Sequence, residues 1–278
     1  MRMTQSSLAD PQLDQLLDRA EEALDQGNAG DTLRLCEQVL SRQPDHTGAR
    51  FLGAEALRDL GDLPEAEDWY REVVRHTPQH SASWSGLGAV LFDQLRFEEA
   101  RVALLRAIRE DDGNPEAFYW RAMIRERRGD LRGARRDYRR ARNLDPLRFP
   151  MPLVLTDAMV EAVVTETLLA LHPTIRAYLA QVAILLEEVP DIETCSQYDP
   201  PAPPGEVLGY FSGMSLMDRS IENPWSNLPS AIVLFRRNLE RIAWDHDRLL
   251  EELRITVFHE VGHFLGLDED DLEARGLD

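Results

Sequence analysis

Small and apolar residues in the first half of the chain hold a phase that returns every 34 positions. Thr32, Ala66, Ala100 and Ala134 share one phase; Ala20, Ala54, Gly88 and Ala122 share another, 12 positions earlier. Pro44, Pro78 and Pro146 punctuate the same period, with Asp112 where a further proline would fall, and Gly27, Gly61 and Gly129 recur midway, with Leu95 as the exception. Larger residues, Tyr70, Leu104 and Tyr138, recur in the second half of each unit. The pattern predicts paired helices that approach closely through their small residues. A single hairpin cannot bury its apolar stripe alone, so the units stack into a solenoid with a concave groove.

Phase and spacing resemble the tetratricopeptide repeat over residues 13–146, in about four units, with Trp84, Leu87 and Gly88 the best match to the first-helix signature. The resemblance implies an all-α solenoid that binds a protein or peptide partner in its groove, with Phe51, Phe92, Tyr119, Met123 and Arg127 facing it. The fourth unit is crowded with arginine, from Arg121 to Arg142. Such a face is either solvated or a dock for an acidic partner.

Beyond Pro146 the period stops, and residues 147–155, with Pro150 and Pro152, read as a linker. A second domain, 156–278, is predicted as α+β with a small mixed sheet. Its first helix runs over 156–171, capped by Thr156 and carrying Met159, Val163, Leu168 and Leu171 on one face. Strands are predicted over 182–189, 207–211 and 231–235, a loop over 191–206 and a turn over 223–229. A long helix over 247–264, capped by Asp247, buries Leu250, Val257, Val261 and Phe264.

Charge narrows the functions available. Fifty acidic residues against 31 basic ones give a net charge of −19, which argues against general binding to nucleic acid or anionic membrane surfaces. No apolar run reaches the length of a membrane span, and a basic leader followed by an apolar stretch is missing, so the expected location is the cytoplasm. Cys36 and Cys195 stand far apart without a CxxC partner and read as packing residues.

The last helix carries His259-Glu260-Val261-Gly262-His263, an HExxH pattern. Histidines four apart on a helix differ by about 40° in direction, so both imidazoles can reach one metal ion. Glu260 projects beside that point, where it can take a proton from a zinc-activated water and pass it to a leaving amine. Catalytic zinc needs a third protein ligand. After Gly266, which lets the chain turn back, Glu269 occupies the place of the third histidine in the HExxHxxGxxH run of metzincins. Asp268 is the adjacent alternative. Asp270 and Asp271 need a different turn.

Residues 156–278 resemble the bacterial minimal zincin-like metallopeptidases, on the run from His259 through Gly266-Leu267-Asp268-Glu269, a Gly209-Tyr210-Phe211 segment and the 232–235 strand. The resemblance implies His259, His263 and Glu269 as zinc ligands and Glu260 as general base. No methionine follows the motif, which leaves at most a reduced version of the metzincin site. Tyr210 is either core or an oxyanion donor. The expected function is an intracellular zinc metallopeptidase whose repeats recruit or gate protein substrates; the alternative is a repeat scaffold with a structural zinc.

Overall fold

The 34-residue period becomes helical hairpins in the computed structural model, which describes residues 11–198, 200–217 and 230–273, without the side chains of Glu269 and Glu273. The hairpins are α1 (Pro11–Asp25) with α2 (Ala29–Arg42), α3 (Thr47–Asp59) with α4 (Leu63–His76), α5 (Ser81–Asp93) with α6 (Phe97–Glu110), and α7 (Pro115–Arg127) with α8 (Leu131–Leu144). The phased small residues Ala20, Ala54, Ala66, Ala100, Ala122 and Ala134 are buried, as is Tyr70. At the hairpin turns Gly27, Gly61 and Gly129 have φ between 73° and 79°, and Leu95 is forced into the same left-handed region at φ 64°. A side chain there costs about 1–2 kcal/mol. Leu95→Gly is therefore expected to raise stability by roughly 0.5–1 kcal/mol after the extra chain entropy of glycine is subtracted, read as a higher denaturant midpoint at unchanged slope.

Two histidines one period apart serve as helix caps. His46 Nδ1 accepts the Ala49 N–H and His80 Nδ1 accepts the Ser83 N–H, each at 3.1 Å. Burial holds the His80 imidazole below its ordinary value of 6.5. Since the folded value lies under the unfolded one, the unfolded chain binds the extra proton. The stability His80 contributes is full above about pH 6.5 and is lost as pH falls through the folded value. Melting temperature is expected to drop on acidification below that point. His80→Asn, which keeps a capping acceptor, should flatten the dependence.

Two of the expected groove residues are core instead. Phe92 is 2% exposed, packed on Phe97 and Trp120, and Met123 is 5% exposed. Along α8, Arg132, Arg135, Arg136 and Arg139 lie exposed on one face, while Arg121 makes a two-pronged bond to Asp137 at 2.7 Å.

The chain divides into two compact units, one of residues up to Ile124 with Gly133–Phe149, the other of Arg125–Arg132 with residues from Pro150 onward. In the second unit, Arg127 donates to the Pro190 carbonyl at 2.8 Å, so it is no groove contact. Its elements are α9 (Asp157–Ala170), α10 (Pro173–Leu179), β1 (Ala183–Glu187), α11 (Ile192–Cys195), β2 (Gly209–Ser212), β3 (Ala231–Phe235), α12 (Arg236–Ile242), α13 (His246–Leu265) and α14 (Glu269–Glu273). The three strands form a mixed sheet in the order β1-β3-β2, with β1 parallel and β2 antiparallel to β3.

Each predicted strand is present within a few residues. Thr156 caps α9 as expected, but α13 is capped by Asp245, whose side chain accepts the Arg248 N–H. The expected loop over 191–206 opens with α11. The expected linker is not loose: Leu153 N–H and Leu155 N–H bond to the Glu240 carbonyl and carboxylate, and Arg236 donates to the Leu155 carbonyl. The expected turn over 223–229 lies outside the described residues. Within the described residues no helix is long and apolar enough to cross a membrane.

Candidate metal centre

The apolar stripe of α13, Leu249, Leu253, Val257, Val261 and Phe264, packs into one core with Ile232 and Leu234 of β3, Leu239 of α12, and Val160 and Val163 of α9. Burying that stripe fixes the rotation of the helix, and the rotation decides where the HExxH side chains go. His259 and His263 lie to one side of it, half-buried; Glu260, about 100° round from His259, falls nearer the stripe and is 5% exposed.

The two imidazoles converge. His259 Nε2 and His263 Nε2 are 3.0 Å apart, with ring planes at 78°. A tetrahedral ion with Zn–N bonds of about 2.0–2.1 Å spaces two nitrogens by about 3.3 Å, so the pair fits one such ion after a small adjustment. His263 Nδ1 lies 3.1 Å from the Leu267 carbonyl. Donation to that oxygen puts the ring proton on Nδ1 and leaves the Nε2 lone pair for a metal, the usual outer support of a zinc-binding histidine.

Gly266 makes this support possible. At φ 97° it ends α13 in the left-handed conformation, its N–H returning to the Gly262 and His263 carbonyls, so that Leu267 comes back over the His263 ring. Met217, from the turn after β2, covers Gly266, and Leu216 N–H bonds to the Phe264 carbonyl at 2.6 Å.

Gly262, in the middle of the motif, is a notch. A methyl group there would meet Leu272 Cδ2 at 2.3 Å, and Leu272 is fully buried. The leucine of α14 thus seats on the motif helix itself. Asp268 caps α14, its Oδ1 accepting the Asp271 N–H at 2.9 Å, so the alternative third ligand already has a structural task. The Glu269 side chain lies outside the described residues. Among the described residues no group of three His, Cys, Asp or Glu side chains is placed to hold a metal.

Strand β2 runs past Glu260. A methyl group on Gly209 would lie 2.7 Å from Thr256 Cγ2 and 3.0 Å from Glu260 Oε1, so only glycine allows the carboxylate this close to the strand. Hollows open on both sides of Glu260. One, of about 320 Å³, includes Tyr198, Val207, Gly209, Glu252, His259 and Glu260; the other, of about 370 Å³, includes Tyr198, Tyr210, Ser215, Glu260 and His263. Tyr210 is half-buried and donates its hydroxyl to Gln197 at 2.5 Å, facing the His263 side rather than the core. No motif or periodicity marks Tyr198, which borders both hollows from the short turn after α11.

Both cysteines are buried, and desolvation pushes the Cys36 thiol up to about 12 and the Cys195 thiol up as well, which fits packing roles.

Comparison with known proteins agrees with this layout. The sequence model of the family described as zincin-like metallopeptidase matches residues 179–277, and two tetratricopeptide-repeat models match residues 23–91 and 85–148. No curated protein matches the chain significantly. Solved structures similar to it include MamA from Desulfovibrio magneticus RS-1, at 19% identity over 50% of this chain and 78% of that one, with a TM-score of 0.43. TTC0263, a thermophilic TPR protein of Thermus thermophilus, is 19% identical over 48% of this chain and 75% of its own, with a TM-score of 0.45. YrrB, described as a TPR protein with an unusual peptide-binding site, is 18% identical over 47% and 68%, with a TM-score of 0.39. The chain therefore joins tetratricopeptide repeats over residues 23–148 to a zincin-like metallopeptidase domain over residues 179–277.

Proposed function

We propose that the chain is a zinc-dependent peptidase whose repeats recruit protein substrates. The observation that carries this reading is the pair of Nε2 atoms 3.0 Å apart, with His263 Nδ1 within hydrogen-bond distance of the Leu267 carbonyl and the buried Glu260 carboxylate beside them. His259, His263 and Glu269 would hold the ion. Asp268 is the weaker third ligand because its carboxylate caps α14.

Zinc, when bound, supplies a Lewis acid that polarises a substrate carbonyl and acidifies a water. The chain supplies the rest. Glu260, held out of bulk solvent between α13 and Gly209, takes the proton from the attacking water and delivers it to the departing amine nitrogen. The two hollows on either side of Glu260 give an extended peptide somewhere to lie, with the scissile bond between them. Tyr210 lines the hollow on the His263 side, and by turning its one hydroxyl proton away from Gln197 it would donate toward a developing oxyanion.

The test is metal content and metal removal. Purified full-length protein is expected to carry about one zinc per chain, to lose peptide hydrolysis on chelation and to regain it on adding zinc. Hydrolysis that survives complete stripping would rule the proposal out.

A further inference from the structure

The hollow on the His259 side has a chemical character of its own. Its walls are Ala202, Val207, Leu208 and Ile255, apolar side chains that suit an aliphatic stem. Among the described residues its charged members besides those of the motif are Glu206 and Glu252, and no Lys or Arg lines it. Glu252 lies on the same face of α13 as His259, two turns earlier, and is held by Arg248. Glu206 is exposed and has no side-chain hydrogen bond or ion pair among the described residues. Its carboxylate is the one left to meet a cation.

The loop that presents Glu206 is fixed. Asn238, 1% exposed, donates from Nδ2 to the carbonyls of Pro204 at 2.8 Å and Val207 at 2.5 Å, on either side of Glu206. The Glu206 N–H bonds to the Pro203 carbonyl at 3.0 Å, and Ala202 N–H to the Cys195 carbonyl at 3.0 Å. Four prolines between 200 and 204 stiffen the same stretch. The acidic group is therefore carried on a rigid wall of the cavity, opposite the helix that bears the catalytic motif.

We propose that this hollow is a specificity pocket for a basic side chain of a peptide substrate, arginine or lysine, next to the scissile bond. The apolar walls take the methylene stem and the exposed Glu206 takes the charged head. A volume of about 320 Å³ has room for one such side chain. The inference rests on the peptidase reading for the position of the scissile bond, but the charge preference is a property of the pocket.

Two readouts separate the inference from that reading. Zinc-loaded full-length Glu260→Gln protein, which should bind without turnover, is titrated with fluorescent peptides that differ only in arginine or its neutral analogue citrulline. Zinc-loaded wild-type protein is assayed on quenched peptides of the same pair. The arginine peptide is expected to bind at least about fivefold more tightly, with the preference shrinking in high salt and falling close to unity in Glu206→Gln. In turnover the kcat/KM ratio should move in the same way. Equal binding of the two peptides, or a preference that Glu206→Gln leaves intact, overturns the pocket assignment even if peptides are cleaved. A Glu206-dependent preference without any cleavage supports the pocket and removes the peptidase reading instead.

Discussion

Replacing Glu260 with glutamine is expected to lower kcat on any cleaved peptide by about a thousandfold, within the range a positioned general base contributes. The substitution keeps size and shape but removes the group that accepts the proton. Glutamine is neutral, so the 5% exposed position costs no more to bury than before. The histidines that converge at 3.0 Å are untouched, and zinc content and melting temperature should stay close to those of the parent. Activity assays, metal analysis and thermal melts on one preparation check all three. If the chain were a scaffold with structural zinc, no measured property would change between the two proteins, and wild-type protein would cleave nothing.

Gly209→Ala is expected to cost about tenfold in kcat with little loss of zinc, because it acts on the base without touching a proposed metal ligand. The added methyl group would sit 3.0 Å from Glu260 Oε1 and 2.7 Å from Thr256 Cγ2. Gly209 pairs with Leu234 in the centre of the small domain's core, so the strand cannot retreat easily. Thr256 and the carboxylate must each give by a fraction of an ångström, and since a shift of roughly 1 Å in a reacting group costs about a hundredfold, this smaller one is expected to cost about tenfold. A companion Thr256→Ser variant removes the closest clash; combined with Gly209→Ala it should recover part of the activity. Full activity in Gly209→Ala alone would mean that Glu260 is not held in place by β2.

Much of this arrangement can be read from the residues before any coordinates. The 34-residue phase marks the hairpins because close helix packing demands small residues at fixed places, and Leu95 stands out in sequence at the turn where it later shows a left-handed backbone. The HExxH spacing brings the two imidazoles together for a geometric reason that holds on any helix. Other features leave no such trace. Helices α10, α11 and α12, of seven, four and seven residues, are too short for a 3.6-residue period to appear. Asp245 and Asp247 are equally good caps by residue type, and the structure uses the first. Phe92, placed on the groove by register, is drawn inward because α5 is buried on nearly every side, and Met123 of α7 is buried together with its neighbours Ala122 and Ile124. Glu206 is one acid in a proline-rich loop, and only Asn238 gripping both sides of it makes it part of a wall.

The seat of Leu272 in the Gly262 notch has a kinetic consequence. A five-residue helix has little stability of its own, so α14, capped by Asp268, depends on that leucine for its seat on α13. With Glu269 at the first position of α14 as the proposed third ligand, a bound ion would be latched by a peg rather than by a rigid strut. Zinc exchange would then proceed by unplugging the peg, and trimming Leu272 to alanine would speed metal escape while the two imidazoles kept their grip.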